Sequence, residues 1–149
     1  MALDPQTISG LSGPEFVALV KGMSDTQIKD DLGGADRGAV LDKVFARFPE
    51  QFRADKAGDR SARIDFRLTG GPGDSVDTYA VVVENGTCSV EKDPTAAPDL
   101  SLQLGPVEFL KLVTGTGNPA MMFMMGKIKA KGDLGLATAL ATWFETPKA

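Results

Sequence analysis

The residues that could do chemistry in this chain are few. None of the 149 residues is a histidine, which excludes Ser-His-Asp and Cys-His nucleophiles, imidazole metal sites and histidine acid-base steps. Cys88 is the only cysteine, so the chain can form neither an internal disulfide nor a thiolate metal cluster. We interpret Cys88 as a small buried apolar residue of a strand rather than as a nucleophile.

The acidic and glycine-rich segments do not predict a catalytic site either. Asp30 and Asp31 lie in a polar stretch, where solvated surface charge is the simpler interpretation. Residues 70–73 (GGPG) are not followed by a lysine with a hydroxyl neighbour, so they predict a loop and not a phosphate-binding turn. We therefore expect no catalytic residue, no metal and no cofactor.

The most informative segment is residues 121–125 (MMFMM). At about 100° per residue, five consecutive large apolar side chains cover more than a full helical turn, so one core-facing stripe cannot hold them all. Two interpretations stay open: a helix buried on all sides, and a helix whose outer part lines a cavity. Methionine suits the cavity because it is unbranched and polarisable, and four of the six methionines lie here. The ligand-binding candidates in this segment are Met121, Met122, Met124 and Met125.

A last helix is predicted after residues 132–133 (GD). Leu136, Leu140 and Phe144 recur every four residues and form one apolar stripe, with the single tryptophan, Trp143, beside them. Alone, this pattern is typical of an ordinary amphipathic helix. Next to the methionine segment, it also suits one wall of a ligand cavity.

Three lysines, Lys127, Lys129 and Lys131, alternate along a predicted strand. Lysines in this arrangement protect the edge of a sheet against pairing with other chains. The alternative is a weak landing patch for anionic lipid headgroups, to which each lysine contributes about 1 kcal/mol near a charged membrane. Since the net charge is -4, we expect such membrane contact to be transient at most.

The first third of the chain predicts helices with clear beginnings. Ser12 with Glu15, and Ser24 with Gln27, have the spacing of capping boxes. A third helix is predicted over about residues 36–49. Its apolar face consists of Val40, Leu41, Val44, Phe45 and Phe48.

The middle of the chain changes to a period of two, which predicts strands. Residues 62–68 alternate apolar with charged side chains, so one face is buried and the other lies in water. Residues 79–90 contain Asn85-Gly86, the strongest short signal for a hairpin with a type I′ turn. Folding the chain there pairs apolar residues, namely Val81 with Val90 and Val83 with Cys88.

Residues 100–104 and 127–131 predict a fourth and a fifth strand. Two helices, residues 106–115 and 119–125, lie between them and imply a helical crossover, so we expect these two strands to be parallel. The predicted fold class is α/β (α+β), with a five-stranded mixed, mainly antiparallel sheet covered by helices.

The chain divides most simply at the glycine pair of residues 33–34. Residues 1–35 are predicted to form an N-terminal helical extension, and residues 36–149 the main domain. At this length one core can bury roughly two thirds of the chain's surface.

The charge pattern and the chain ends indicate partners and location. The net charge of -4 and pI of about 4.8, with scattered lysines and arginines, exclude the basic patch of a nucleic-acid binder. Residues 1–6 lack the features of a secretory signal, and no stretch approaches the roughly 20 apolar residues of a membrane span. The last residues do not match a peroxisomal Ser-Lys-Leu address. We expect a cytoplasmic location.

Three ordered blocks form a signature: residues 99–104 (DLSLQL), 107–115 (VEFLKLVTG) and 124–137 (MMGKIKAKGDLGLA). Together they resemble the sterol carrier protein type 2 family, over roughly residues 36–149. The resemblance implies a five-stranded mixed sheet and an apolar tunnel between sheet and helices. It also implies non-catalytic binding or transfer of sterols, fatty acids, acyl-CoA and phospholipids.

The resemblance also implies roles for individual positions. Gly126 and Asp133 are expected to cap helices rather than to take part in chemistry. Pocket-lining roles fall on Phe109, Val113, Met121, Met124, Leu136 and Leu140. The predicted ligand-binding set includes four further apolar residues of the same helices, Leu112, Met122, Met125 and Phe144.

We therefore predict a lipid-binding protein, not an enzyme. Its ligand is expected to be a fatty acid, acyl-CoA, sterol-like lipid or phospholipid held in an apolar tunnel. The alternative is an interaction module of the same fold with a collapsed cavity, which forms a homodimer or binds a partner enzyme through its N-terminal helices.

Overall fold

The computed structural model describes residues 5–34, 37–71, 75–114, 119–136, 139 and 143. The helices are α1 (Pro5–Ser9), α2 (Gly13–Lys21), α3 (Asp25–Asp31), α4 (Arg37–Phe45), α5 (Phe48–Gln51), α6 (Ala54–Ala57), α7 (Pro106–Thr114) and α8 (Pro119–Met124). The strands are β1 (Ala62–Leu68), β2 (Asp77–Glu84), β3 (Thr87–Lys92), β4 (Leu100–Leu104) and β5 (Ile128–Gly132). Residues 135, 136, 139 and 143 are also helical.

Two capping boxes begin α2 and α3, as the sequence predicts. Glu15 N donates to Ser12 Oγ at 3.3 Å, and Ser12 N donates to the Glu15 carboxylate at 3.0 Å. Ser24 and Gln27 make the same two bonds at 3.2 and 2.9 Å. Because these bonds satisfy amide groups that the first helical turn leaves without partners, local sequence sets both helix starts.

Helix α4 is shorter than its apolar pattern suggests. The sequence predicts a helix to Pro49, but α4 ends at Phe45 and a separate short helix, α5, begins at Phe48. Pro49 has no N–H to donate to the Phe45 carbonyl, so the helical hydrogen-bond ladder fails there. The predicted apolar face is nevertheless buried along its whole length, at Val40, Leu41, Val44, Phe45 and Phe48.

The five strands form one mixed sheet in the order β3-β2-β1-β4-β5. The pair β1 and β4 is parallel, and the other three neighbouring pairs are antiparallel. The predicted five-stranded, mainly antiparallel sheet is confirmed.

The expected parallel pairing of β4 with β5 is wrong. Leu104, the last residue of β4, pairs with Ile128, the first residue of β5, and the two strands run in opposite directions. Both predicted helices, α7 and α8, lie between these strands. Together they return the chain to the end of the sheet at which β4 finishes, whereas a crossover connection would return it to the opposite end.

The predicted hairpin between β2 and β3 is confirmed. Asn85 and Gly86 have φ values of +50° and +75°, as a type I′ turn requires. The register places Val81 opposite Val90 and Val83 opposite Cys88.

Aromatic rings fill the space between α4 and the apolar face of the sheet. Phe45 lies at their centre, with its ring centroid 4.1 Å from Tyr79, 5.0 Å from Phe109, 5.3 Å from Phe48 and 5.8 Å from Phe66. Aromatic pairs at such distances stabilise beyond the area they bury. The rings join β1, β2, α4, α5 and α7 into one core.

Two arginines attach the N-terminal helices to the rest of the chain. Arg37 is 3% exposed; it donates to the carbonyls of Leu32 and Leu68 at 3.0 and 2.6 Å, and it contacts Asp77 at 2.6 Å. Arg47 donates to the carbonyl oxygens of Ile8 at 2.9 Å and Leu11 at 2.7 Å. Apolar residues of α1, α2 and α3 also belong to the common core, among them Ile8, Phe16, Val20 and Ile28.

The second face of the sheet is polar, and Asp65 lies near its middle on β1. Asp65 is 9% exposed, and its Oδ1 has no hydrogen-bond partner among the described residues. Burial raises the pKa of the Asp65 carboxyl, and the charges of Arg63 and Arg67 oppose this shift only in part. The ionised form of the Asp65 carboxyl is therefore less stable in the folded protein than in water.

We expect Arg37→Met to lower the free energy of unfolding by about 2–4 kcal/mol, because the change leaves two carbonyls and the Asp77 carboxylate without their donor. Chemical denaturation measures the loss. The control is Lys111→Met, which removes an exposed contact of 3.7 Å between Lys111 and Asp25 and is expected to cost less than about 1 kcal/mol. Equal losses in the two variants would contradict the role given to Arg37.

A second prediction concerns Asp65→Asn and pH. The unfolded carboxyl titrates near its ordinary pKa of 3.8, whereas the folded one titrates higher. Above pH 3.8 and up to the raised value, the folded state binds more protons, so the free energy of unfolding falls as pH rises. We expect Asp65→Asn to be more stable than the parent at neutral pH, by on the order of 1 kcal/mol. Urea unfolding measures this difference in the free energy of unfolding, which should vanish below pH 3.8. A difference that does not change with pH would refute the destabilising role given to the Asp65 carboxylate.

Candidate functional site

Helix α8 ends in a hydrogen-bonded turn that leads directly into β5. Gly126 has a φ of +75°; its N–H donates to the Phe123 carbonyl at 3.1 Å, and Lys127 N donates to the Met122 carbonyl at 2.9 Å. This pair of bonds is a Schellman motif, which favours glycine at its left-handed position. Gly126 thus has the capping role expected for it, and the turn holds the methionine segment beside the edge strand.

Four apolar side chains around Met122 face solvent. Met122 is 7% exposed and belongs to the core, whereas Met121, Phe123, Met124 and Met125 are 58%, 46%, 84% and 64% exposed. One core-facing stripe does not hold the segment, as predicted, and the interpretation of a helix buried on all sides is wrong. The four exposed residues are called the methionine surface below.

The other predicted ligand-binding residues do not all join this surface. Phe109 is fully buried, with its ring centroid 5.0 Å from that of Phe45, and Leu136 is buried in the same core. Two residues are half-buried on α7, Leu112 and Val113. Two others lie outside the described residues, Leu140 and Phe144. Within the described part of the chain, some of the predicted ligand-binding residues are therefore buried in the core, and others are exposed on the surface.

Strand β5 lies at one edge of the sheet. Lys129 and Lys131 are exposed and pair with Gln103 and Ser101 of β4, which places both lysines on the polar face. Lys127 is exposed just before the strand. The predicted edge position is confirmed, and edge lysines oppose pairing with another chain.

Asp133 begins the last helical segment, in the capping role expected for it. Its Oδ1 accepts a hydrogen bond from Gly135 N at 3.0 Å, and its own N–H donates to the Asp99 carbonyl at 2.8 Å. The preceding residue, Gly132, has a φ of +113°, and a Cβ there would lie 2.4 Å from the Asp99 carbonyl oxygen. Only glycine fits this close approach of β5 to the start of β4.

Cys88 does not have the surroundings of a nucleophile. It is half-buried opposite Val83, and burial raises the pKa of its thiol to about 11. The thiol is therefore protonated at neutral pH. Cys88 packs against the core as a small apolar residue, but it is half-buried rather than buried as predicted. Across the described ranges, no three Cys, Asp or Glu side chains are placed to hold a metal ion. No helix within them is long and apolar enough to cross a membrane.

A polar groove on the second face of the sheet was missed by the sequence reasoning. Its volume is about 440 Å³, and its walls come from three strands and the connection between β3 and β4. The lining residues are Asp65, Arg67, Thr78, Asp93, Pro94, Pro98 and Ser101. The available signal was an acidic residue between two arginines on the water-facing side of β1.

Comparison with known proteins identifies similar sequences. The family model described as the SCP-2 sterol transfer family matches residues 41–145. Human sterol carrier protein 2 is 37% identical over 75 residues, which are 50% of this chain and 14% of the human protein. The chain thus spans about one seventh of that curated relative's length.

Solved structures share the fold. The apo form of sterol carrier protein 2 from Yarrowia lipolytica superposes with a TM-score of 0.54 at 23% identity, over 74% of this chain and 94% of that one. An inverting sec-alkylsulfatase from a Pseudomonas species gives 0.63 at 14% identity, over 72% of this chain and 17% of the sulfatase. At these identities, the likeness concerns the fold alone.

Proposed function

The chain belongs to the SCP-2 sterol transfer family, and from this premise we propose that it binds a lipid through a long hydrocarbon chain, without transforming it, and passes it on. The observation that supports the proposal best is the methionine surface. Met121, Phe123 and Met124 of α8 and Met125 of the turn that follows are all at least 46% exposed. Each of these side chains leaves a large part of its apolar surface in contact with solvent, where an apolar ligand can cover it.

Methionine is suited to such a contact. Its unbranched side chain can repack around ligands of different shapes, and its sulfur is polarisable. Met122 anchors the helix in the core while its neighbours stay outside. Met122 therefore fixes the position of the helix, and the exposed neighbours are accessible to a ligand.

The free energy of burying a hydrocarbon chain is large enough to support binding without hydrogen bonds or ion pairs to the ligand. Each buried methylene contributes about 0.8 kcal/mol, so a sixteen-carbon chain offers roughly 12 kcal/mol before costs. Association costs on the order of 4 to 15 kcal/mol. Micromolar binding of a fatty acid, acyl-CoA, sterol-like lipid or phospholipid can follow from apolar contact alone.

The aromatic core limits where the ligand can lie. Phe45, Phe48, Phe66, Tyr79 and Phe109 occupy the space between α4 and the sheet. We place the hydrocarbon chain at the α8 end of the molecule, against the methionine surface. Phe109 and Leu136 are buried in the core and do not face this proposed site.

The same rings favour a second candidate function. If the apolar interior is filled by side chains alone, the fold serves as an interaction module, which binds a protein through its N-terminal helices, as the sequence analysis expects, or through the methionine surface. A homodimer or a partner enzyme would then cover the exposed methionines.

Lipid extraction separates the two candidates. We expect organic extracts of the purified protein to contain close to one lipid per chain by mass spectrometry. Titration of delipidated protein with palmitate should change the emission of Trp143, because this residue is 2% exposed and shares the core with Met122 and Leu136. A protein that is empty and whose emission does not respond to palmitate would favour the interaction module.

Met124→Lys tests the position of the ligand. Met124 is 84% exposed, so the variant should fold with its stability changed by less than about 0.5 kcal/mol. An ammonium in the apolar wall should weaken palmitate binding at least tenfold. The control is Val76→Lys, which places the same charge on another exposed apolar residue, 43% exposed just before β2. Equal affinities of the two folded variants would refute this placement.

A further inference from the structure

The polar groove on the second face of the sheet has firmly held walls. Asp93 N donates to the Thr78 carbonyl at 3.0 Å, which fixes one end of the connection between β3 and β4. Asp99 fixes the other end, because it donates through its N–H to the Arg63 carbonyl and accepts from Arg63 N through its carboxylate, both at 2.8 Å. The groove is therefore bounded by a strand floor and a tied loop.

Asp65 supplies an acceptor without a partner in this groove. It is 91% buried, and its Oδ1 lacks a hydrogen bond within the described part of the chain. Arg63, two residues away on the same face of β1, contacts Glu91 at 2.8 Å, and its Nε likewise has no hydrogen-bond partner among the described residues. A buried carboxylate oxygen in this state is costly unless a donor reaches it.

Arg67 supplies a charge of the opposite sign on the same side. It is exposed, lines the groove with Asp65, and forms no ion pair with any residue that the structure describes. Two residues along a strand are separated by roughly 6.6 Å. A small molecule with one positive and one negative group can therefore reach both side chains at once.

Two hydroxyl-bearing residues flank these charges. Thr78 lies opposite Arg67 on β2, and Ser101 lies opposite Asp65 on β4. Hydroxyl oxygens accept hydrogen bonds from an ammonium group, which has three donors to satisfy. The groove has a volume of about 440 Å³ and is largely open to solvent, so a ligand there would keep part of its surface in water.

From these contacts we infer that the groove is a binding site for a small zwitterion with a primary ammonium group. The ammonium donates to Asp65 Oδ1 and to the Ser101 or Thr78 hydroxyl, and the anionic group contacts Arg67. The chemistry fits a free solute such as an amino acid or phosphoethanolamine, and equally the headgroup of an ethanolamine lipid. The groove is on the face opposite the helices, so the inference is independent of the proposed hydrocarbon site.

The test is a titration of the full chain with O-phosphoethanolamine, in which NMR measures the amide chemical shifts of the protein. We expect saturable binding, with the largest amide shifts near Asp65, Arg67, Thr78 and Ser101. Phosphocholine should bind at least tenfold more weakly, because its quaternary ammonium has no N–H to donate to Asp65. No saturation by 50 mM probe, or equal binding of the two compounds, would overturn the inference.

Matched variants locate the site. Asp65→Asn and Arg67→Gln should each weaken O-phosphoethanolamine binding at least tenfold, while Glu84→Gln, an exposed charge change outside the groove lining, should leave it unchanged. Asp65→Asn is expected to fold stably, so its loss of binding is not a loss of structure. Undiminished binding by Asp65→Asn or by Arg67→Gln would count decisively against the assignment.

Vesicles distinguish the two sources of the zwitterion. Co-sedimentation with vesicles of phosphatidylethanolamine and phosphatidylcholine, lost in Asp65→Asn and absent with phosphatidylcholine alone, assigns the groove to the lipid headgroup. Binding of O-phosphoethanolamine without such co-sedimentation assigns it to a free solute. Both results support the site, and neither depends on whether palmitate binds at the methionine surface.

Discussion

The alternation of side chains along the central strand is the constraint on which the rest of the structure depends. Successive side chains of a strand point to opposite faces. In β1, Ile64 and Phe66 are therefore buried beneath the helices, while Arg63, Asp65 and Arg67 belong to the other face. Because β1 lies between β2 and β4 in the sheet, its register extends this division to both neighbours. One face must be covered by a helical layer, and the other must be compatible with water.

The two faces meet this constraint in different ways. One side of the molecule keeps exposed apolar side chains, and the other keeps buried polar atoms without hydrogen-bond partners. On the helical side, stacked rings around Phe45 fill the interior, and two arginines tie the N-terminal helices to the core. The residues of the methionine surface remain largely exposed outside this packing. On the polar side, Asp65 Oδ1 and Arg63 Nε are buried without a hydrogen-bond partner among the described residues, while Arg63 contacts Glu91 at 2.8 Å. The two proposed sites, one apolar and one charged, thus lie on different sides of the sheet.

Features set by neighbouring residues were predictable. Hydrogen bonds within a few residues determine the two capping boxes, the Asn85-Gly86 hairpin and the cap at Asp133. All four features appear as expected. The orientation of β5 was not predictable in this way. It depends on the path of α7 and α8 between strands, which the apolar periodicity of those helices does not contain. The end of α4 was also missed, although Pro49 supplied the physical reason for it.

The sequence by itself determined the five strands, most helix starts and the excess of apolar side chains at residues 121–125, because period and capping chemistry act over short distances. It also excluded histidine chemistry outright. Only the tertiary structure decided that Met122 turns inward while Met124 turns outward, that Phe109 stacks in the core, and that Asp65 and Arg67 share a groove. Burial of a given side chain depends on which elements pack over it, and residues far apart in the chain supply those elements.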